Sequence, residues 1–203
     1  MNKSLLLKTL ALIATLFCAT AYTIAEEKPE IKFQNTILEL VDVLSDNNPD
    51  LSFADKQQNV IELFKSRNFE FDTIIRRTLG RNWTTLTDEQ KEQTKQLITT
   101  MLLLAYSREF QDGEKPEMKF GEATFLNPKQ TKLELPSAVK VRGSTVTLSY
   151  RLVNLKAAGW QVYDILVEGV SMVSNYRKQF DDHFNSRKSA DELIELLKGK
   201  LAD

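Results

Sequence analysis

The spacing of apolar residues changes from helical to strand-like near Gly113, and this change limits the fold more than any other feature of the chain. Before it, apolar side chains recur every three or four residues, as on one face of an α-helix. After it, apolar and polar residues alternate, as in strands, over 117–125, 131–141, 145–154 and 159–168. Helical spacing returns in the rest of the chain. Because helices and strands occupy separate stretches, the sequence predicts an α+β fold with helices packed on a four-stranded antiparallel sheet.

The N-terminal helical region divides into short helices at residues that favour helix ends. The first helix is predicted over 33–44. Ser52 with Asp55 is typical of the start of a second helix. A third covers 71–79 and is expected to end at Gly80, because glycine reaches the left-handed conformation of a helix C-cap without strain.

Two capping boxes mark the starts of later helices. Thr87 and Gln90 have the spacing at which each side chain bonds the backbone N–H of the other residue. The helix that they open is expected to reach about Phe110. Its middle is apolar on more than one face, which predicts a central helix that is buried on several sides. Ser189 and Glu192 repeat the box ahead of the last helix.

The strand pattern predicts which residues share a face. Val146, Leu148, Tyr150 and Leu152 alternate with polar residues, so one face of that strand is expected to be buried. In 159–168 both faces are apolar: Trp160, Val162 and Leu166 on one, and Tyr163, Ile165 and Val167 on the other. Pro136 cannot donate a ladder hydrogen bond, so its strand is predicted to be an edge strand or to carry a bulge.

The first residues have the form of a secretory signal peptide. Lys3 and Lys8 supply the positive start, an apolar stretch covers 10–17, and small residues follow. Cleavage is expected after Ala21 or after Ala25. The predicted organisation is therefore a signal peptide over 1–21 and a single domain over 26–203, which is enough chain for a sizeable core.

Composition excludes several chemistries. Cys18 is the sole cysteine and lies in the predicted signal peptide, so the mature chain would have neither a disulfide nor a thiolate nucleophile. The whole chain has 27 basic and 28 acidic side chains; without 1–21, which hold two lysines, the balance is 25 against 28. A slightly acidic chain argues against a nucleic-acid partner.

Candidate catalytic residues are few. His183 is the sole histidine and is expected to be an exposed helical residue. Asp164 and Glu168 share one strand face about 13 Å apart, which is too far for a glycosidase pair. Glu168 is instead expected to interact with the first turn of the next helix.

A basic cluster and an excess of apolar surface remain to be explained. The cluster of Arg76, Arg77 and Arg81 is expected to be a solvated helix face, with contact to an anionic group as the alternative. The central helix and the strand over 159–168 are apolar on more than one face, which is more apolar surface than packing against a single sheet face would bury. A sheet that is covered on both sides would explain this, and so would a sheet and helices that enclose a pocket for a hydrophobic molecule.

The stretch WQVYDILVEGVSMVSNYRKQF over 160–180 closely resembles the MlaC family of periplasmic proteins, also called toluene-tolerance proteins. The motif runs from a W-x-x-Y-D strand through E-G-V-S into a helix with N-Y-R-x-x-F. Its positions here are Trp160, Tyr163, Asp164, Glu168, Gly169, Val170, Ser171, Asn175, Tyr176, Arg177 and Phe180. FDTIIRRTLGRNWTTLTDEQ, upstream, is also similar to the family.

The resemblance implies a curved sheet whose helices enclose a hydrophobic cavity for lipid tails. It also implies a non-enzymatic, periplasmic, monomeric carrier without a metal or cofactor, whose cargo is phospholipid. The implied partners are an inner-membrane ABC transporter complex with an MCE-domain subunit and an outer-membrane lipoprotein–porin complex. The carrier would support lipid asymmetry of the outer membrane.

From the apolar pattern and the resemblance together, we predict the residues that contact the lipid. They are Ile74, Ile75, Leu79, Met101, Leu104, Val146, Leu148, Tyr150, Tyr163, Ile165, Val167, Val170 and Val173. Which face of 159–168 meets the lipid is left open.

Three alternatives also remain. The cargo could be another lipid, such as a hopanoid. The chain could be a small hydrolase that uses Asp164 or His183. It could also be a non-catalytic adaptor of the cell envelope, which predicts a filled core.

Overall fold

The computed structural model describes residues 27–107 and 115–202, apart from positions 47, 49, 68, 70 and 142. The predicted signal peptide and the expected helix end at Phe110 lie outside these residues. Within the described ranges, none of the helices has the length and apolar character needed to cross a membrane.

In the described part of the chain, six α-helices precede or follow the strands. They are α1 (Pro29–Ser45), α2 (Phe53–Ser66), α3 (Asp72–Leu79), α4 (Asp88–Ser107), α5 (Met172–Asn185) and α6 (Ala190–Ala202), with a 3-10 helix over Gly80–Thr85 after α3. The three expected capping pairs are confirmed, but α1 begins at Pro29, four residues before the predicted start at residue 33. Ser52 and Asp55 bond each other's backbone N–H at the start of α2, Thr87 and Gln90 do so before α4, and the third such pair is Ser189 with Glu192. Gly80 follows α3 with a φ of 55°.

The strands form one antiparallel sheet. They are β1 (Glu117–Phe120), β2 (Thr124–Phe125), β3 (Lys132–Val141), β4 (Ser144–Leu155), β5 (Gly159–Val167) and β6 (Val170–Ser171). The order is β1-β3-β4-β5-β6, and β2 also pairs with β3. The predicted α+β class is confirmed, but four strands is too few. The first predicted strand is divided into β1 and β2, and two-residue β6 follows the turn at Glu168 and Gly169, where φ is 48° and 77°.

Pro136 lies in β3, which has neighbours on both sides, so the prediction of an edge strand is wrong. β1 pairs with residues 137–140 of β3 and β2 pairs with residues 133 and 134. Pro136 falls in the gap between these two pairings. The neighbouring strand is interrupted at this position, so the missing N–H of proline costs no ladder hydrogen bond. In this respect Pro136 resembles a residue of an edge strand.

A bulge in β5 decides which side chains face inward. Arg151 of β4 pairs with Asp164 and Leu152 pairs with Val162, so Tyr163 is the extra residue between these pairs. The bulge shifts the alternation by one position. Consequently the two faces expected for 159–168 are not regular along the whole strand.

Candidate functional site: an apolar cavity between helices and sheet

The helices and one face of the sheet enclose an apolar cavity. Its helical wall comes from α1 (Phe33, Ile37, Leu40, Val41), α2 (Phe64), α3 (Ile74) and α4 (Leu102), with Phe69 and Phe71 between α2 and α3. Its strand wall and the adjoining segment supply Pro116, Met118, Val139, Leu148, Tyr150, Val162 and Ile165. None of the described residues that line the cavity is charged, so this lining offers an apolar ligand dispersion contacts.

The bulge at Tyr163 makes the β5 wall continuous. Val162 and Ile165 would point to opposite faces of a regular strand, because they are three residues apart. The extra residue between their cross-strand partners brings both side chains to the cavity. Tyr163 itself lines a different cleft, on the side where α3 meets the strands.

Aromatic rings fill much of the space between α1 and the sheet. Phe33 makes edge-on contacts with Phe69 and Tyr150, with ring centroids 5.0 and 5.2 Å apart. The remaining cavity has a volume of about 60 Å³. A water molecule occupies about 30 Å³ of liquid, so the cavity as packed has room for small groups only.

A larger cleft lies directly behind one wall of the cavity. It has a volume of about 620 Å³, lies between α2 and α4, and shares Phe64, Phe69 and Phe71 with the cavity. Its other lining residues are mainly polar, and Lys95 pairs there with Asp72 at 3.1 Å. The three phenylalanines, which we call the aromatic wall, therefore separate the cavity from a space about ten times its volume.

Asp164 fixes the corner between β5 and α5. Its carboxylate accepts hydrogen bonds from Ser171 Oγ at 2.7 Å and from the backbone N–H of Val173 at 3.2 Å. Arg151 lies 3.8 Å away, and Asp164 is only 6% exposed. A buried carboxylate with these partners holds the first turn of α5 in place, where the helix dipole favours an anion.

Glu168 does not take the role that the sequence suggested. Its carboxylate accepts a hydrogen bond at 2.5 Å from the backbone N–H of Thr147, on the neighbouring strand β4. The expectation that Glu168 contacts the first turn of α5 is therefore wrong, and Asp164 makes that contact instead. The two carboxylates are held by separate partners and do not form a pair.

His183 is buried, so the expectation of an exposed helical residue is also wrong. Its Nε2 lies 2.8 Å from the carbonyl oxygen of Ser189, and its ring packs edge-on against Phe184. This contact ties the end of α5 to the start of α6. Across the described ranges, His, Cys, Asp and Glu form no group of three that could hold a metal ion.

The arginines of the basic cluster have different neighbours. Arg76 pairs with Asp72 at 3.6 Å and lies over the Trp83 ring. Arg81 donates to Asn185 Oδ1 at 3.4 Å. Arg77 lies over the ring of Tyr163, 4.8 Å from its centroid.

Burial and charged neighbours act on the pKa of Tyr163. Burial raises the pKa of Tyr163, and the nearby guanidinium groups of Arg151 and Arg77 oppose that shift. Tyr163 therefore faces the cleft that is lined by Arg76, Arg77 and Lys132 and is not among the residues that line the apolar cavity.

The predicted contact residues divide into three groups. Ile74, Leu148, Tyr150 and Ile165 line the cavity. A second group lies near the cavity without lining it. Leu79 and Val173 are buried in the core, and Met101 and Val167 pack against it. Ile75 lines the cleft behind the aromatic wall. Val146 and Val170 are exposed, Tyr163 faces the charged cleft, and the side chain of Leu104 lies outside the described part.

Several lining residues were missed. Phe33, Ile37, Leu40 and Val41 form the apolar stripe of α1, and helical spacing alone does not show that this stripe lines a cavity. Val170 was included because its motif continues into a helix. It is 57% exposed because the tight turn at Glu168 and Gly169 places it on two-residue β6.

Comparison with known proteins agrees with this architecture. The model of the family described as MlaC protein matches residues 34–199. No curated protein matches the chain significantly. A phospholipid-binding protein from Ralstonia solanacearum, solved in complex with a phospholipid, has a TM-score of 0.69 and 22% identity, covering 86% of this chain and 98% of its own. At that identity the likeness shows the fold. The family match spans most of the chain, and the protein therefore belongs to the MlaC family.

Proposed function

We propose that this protein is a periplasmic carrier that binds phospholipid by its acyl chains and shuttles it between complexes of the outer and inner membranes. The observation that carries the proposal is the wholly apolar cavity between helices and sheet, in a member of the MlaC family. The phospholipid bound to the similar Ralstonia solanacearum protein supports the same cargo class.

The physical chemistry of lipid transfer favours an enclosed site. Two acyl chains carry roughly thirty CH₂ groups, and each contributes about 0.8 kcal/mol when it leaves water. Release from such a site needs a partner or membrane that offers competing apolar surface. The partners that we propose are those that the family resemblance implies: an inner-membrane ABC complex with an MCE-domain subunit and an outer-membrane lipoprotein–porin complex, with the carrier acting as a monomer.

The present cavity is much smaller than a phospholipid, so loading must enlarge it. The aromatic wall is the place where this costs least, because the cleft of about 620 Å³ lies directly behind Phe64, Phe69 and Phe71. Rotation of these rings or displacement of α2 would join the two spaces. Acyl chains could then replace ring-to-ring contacts with chain-to-ring contacts of similar energy.

A non-enzymatic role is consistent with the polar residues. Asp164 is occupied by Ser171 and Val173, and His183 lies against the carbonyl of Ser189. Each residue has a structural task, so the hydrolase alternative has little support. The adaptor alternative is favoured by one observation, the small volume of the cavity.

Native mass spectrometry of protein purified from the periplasm tests the proposal. We expect bound phospholipid in the mass spectrum and in an organic extract, and identification of the lipid separates phospholipid from a hopanoid. Protein that is always lipid-free would contradict a carrier and favour the adaptor.

A matched pair of variants tests the location of the cargo. Val139 and Val146 are direct cross-strand partners, but only Val139 is among the cavity-lining residues. Val139→Phe should fill the cavity and reduce lipid occupancy several-fold, because the ring takes the space of acyl carbons. Val146 shares the face of Val139, but it is 37% exposed, so Val146→Phe can keep its ring in solvent and should reduce occupancy much less than Val139→Phe. Equal occupancy in both variants would contradict this assignment.

A further inference from the structure

One end of the sheet concentrates positive charge around the turn between β4 and β5, residues 155–159. On one side of this turn is a cleft of about 670 Å³ whose lining includes Arg76, Arg77 and Lys132. On the other side is a cleft of about 500 Å³ whose lining includes Lys28, Lys32 and Lys156. Among the described lining residues, the first cleft includes one carboxylate, Asp72, and the second includes one, Glu27.

Most of these cations have no carboxylate to neutralise them. Arg76 pairs with Asp72, but the described residues provide no ion pair for the set that we call the basic end: Lys28, Lys32, Arg77, Lys132 and Lys156. The whole chain has a net charge of −1. The charge of the molecule is therefore polarised, with an uncompensated positive region at the basic end.

Aromatic rings hold several of these cations in place. Arg77 and Lys132 both lie near the Tyr163 ring, 4.8 and 5.7 Å from its centroid. Lys32 lies 5.6 Å from the centroid of Phe69. Contacts with the π face stabilise each cation but leave its positive charge available to an external anion.

Exposed apolar side chains lie among the cations. Leu155, at the start of the turn, is 41% exposed and precedes Lys156. Leu126, in the loop between β2 and β3, is 43% exposed. The backbone N–H of Asn154 donates to the carbonyl of Thr131 at 2.8 Å, which ties this loop to the end of β4. Leucines bordered by lysines are suited to a surface that is anionic outside and apolar beneath.

We propose that the basic end is a docking surface for an anionic lipid bilayer. Its cations are spread around a protruding turn and do not converge on one point, which fits the diffuse negative charge of a membrane better than a single bound anion. Each lysine or arginine near such a surface contributes about 1 kcal/mol of attraction. The inference does not depend on which molecule the cavity holds.

Docking in this orientation would bring the membrane near the aromatic wall. Phe69 lines both the apolar cavity and the cleft beside Lys156. A bilayer that contacts the basic end would therefore lie close to a ring that closes the cavity. Docking to a membrane would thus explain why positive charge is concentrated at one end of a chain that is nearly neutral as a whole.

Co-sedimentation with vesicles tests the proposal. The full folded protein is mixed with vesicles of phosphatidylcholine alone or with one third phosphatidylglycerol, at low and high salt. We expect binding to the anionic vesicles that weakens as salt increases. Lys132→Glu with Lys156→Glu should weaken this binding about thirtyfold or more, since each removed lysine contributes about 1 kcal/mol.

A control of equal charge separates this surface from a net-charge effect. Lys140 lies eight residues from Lys132, at the opposite end of β3, and Lys198 lies on α6. Lys140→Glu with Lys198→Glu should leave vesicle affinity within a few-fold of the wild type. Equal loss in the two double variants, or no binding of the wild type to anionic vesicles, would overturn the proposal. Binding to immobilised polyglutamate without binding to vesicles would also overturn it and would indicate an acidic protein partner.

Discussion

Two walls of the cavity are built in different ways. The wall formed by β5 continues into α5 through Asp164, whose carboxylate bonds Ser171 and the backbone of Val173. The side chains of the aromatic wall are held by ring contacts: the ring centroids of Phe64 and Phe71 lie 4.9 Å apart, and those of Phe69 and Phe33 lie 5.0 Å apart. The backbone N–H of Phe69 also donates to the carbonyl of Phe64 at 2.9 Å. Directional bonds to a side-chain carboxylate therefore fix one wall, and non-directional ring contacts hold the side chains of the other.

This difference indicates which wall can move. A buried hydrogen bond to a carboxylate loses much of its energy when its geometry changes, so the β5–α5 corner has one favourable arrangement. Apolar contacts keep most of their energy when side chains repack at constant volume. In the proposed function, the cavity of about 60 Å³ must enlarge to accept a lipid. The fixed wall would then maintain the fold, and the aromatic wall would open for entry of the lipid.

The largest expected effect is on the fixed wall. Asp164→Ala should lower the free energy of unfolding by about 3 kcal/mol, because it leaves Arg151 without that partner and the N–H of Val173 unbonded. Chemical denaturation at neutral pH measures the loss. Asp164→Asn should recover part of it, since the amide oxygen can still accept from Val173.

The matched control is the other carboxylate of the same motif. Glu168 is exposed, and among the described residues its carboxylate bonds the backbone of Thr147, so Glu168→Ala should cost less than about 1 kcal/mol. Comparable losses for Asp164→Ala and Glu168→Ala would mean that the corner is not held mainly by Asp164.

A smaller effect is expected on the aromatic wall. Phe71→Leu should lower the free energy of unfolding by about 1 kcal/mol, because the change keeps most of the apolar volume. It should nevertheless speed the exchange of a fluorescent phospholipid several-fold, since a ring that closes the cavity is lost. Stopped-flow fluorescence measures the exchange.

Phe125→Leu is the control for that substitution. Phe125 is 49% exposed on β2 and lies outside the aromatic wall. Its replacement should change neither stability nor exchange appreciably. If Phe71→Leu lowers stability without faster exchange, the aromatic wall is structural and the entry route lies elsewhere.

Much of the fold could be predicted from local signals. The capping boxes at Ser52, Thr87 and Ser189 and the stop at Gly80 act within a few residues, so the sequence displays both partners together. The division into helical and strand regions is equally local, because the apolar period records it.

The cavity was harder to predict because it depends on contacts between distant residues. Val162 reaches the cavity only because Tyr163 bulges out of β5, and the register with Leu152 that creates the bulge is not visible in one strand. The exchange of roles between Asp164 and Glu168 has a similar cause. The turn at Glu168 and Gly169 cannot be predicted from the alternation of apolar and polar residues. It directs the Glu168 side chain back to β4, so Asp164 is the carboxylate that contacts the first turn of α5.

The smallest expected effect is a pH dependence of the aromatic wall, in which Phe64 belongs to α2 and Phe69 and Phe71 follow it. At the start of α2, Ser52 Oγ donates to Asp55 at 2.6 Å and the Ser52 backbone N–H donates at 2.9 Å. These bonds lower the pKa of Asp55 below its ordinary value of 3.8, so its ionised form stabilises the start of the helix. This stabilisation is complete above pH 3.8 and is lost as pH falls through the lowered pKa.

We therefore expect lipid exchange to accelerate slightly as pH falls below 3.8, and Asp55→Asn to remove this pH dependence because an amide does not titrate there. Glu192 provides the comparison, since bonds from Ser189 lower its pKa in the same way at the start of α6, away from the aromatic wall. Glu192→Gln should remove an acid-dependent part of overall stability but leave the pH dependence of exchange intact. If Glu192→Gln alters that dependence as much as Asp55→Asn does, the acid response belongs to the whole fold and α2 is not the moving part of the cavity.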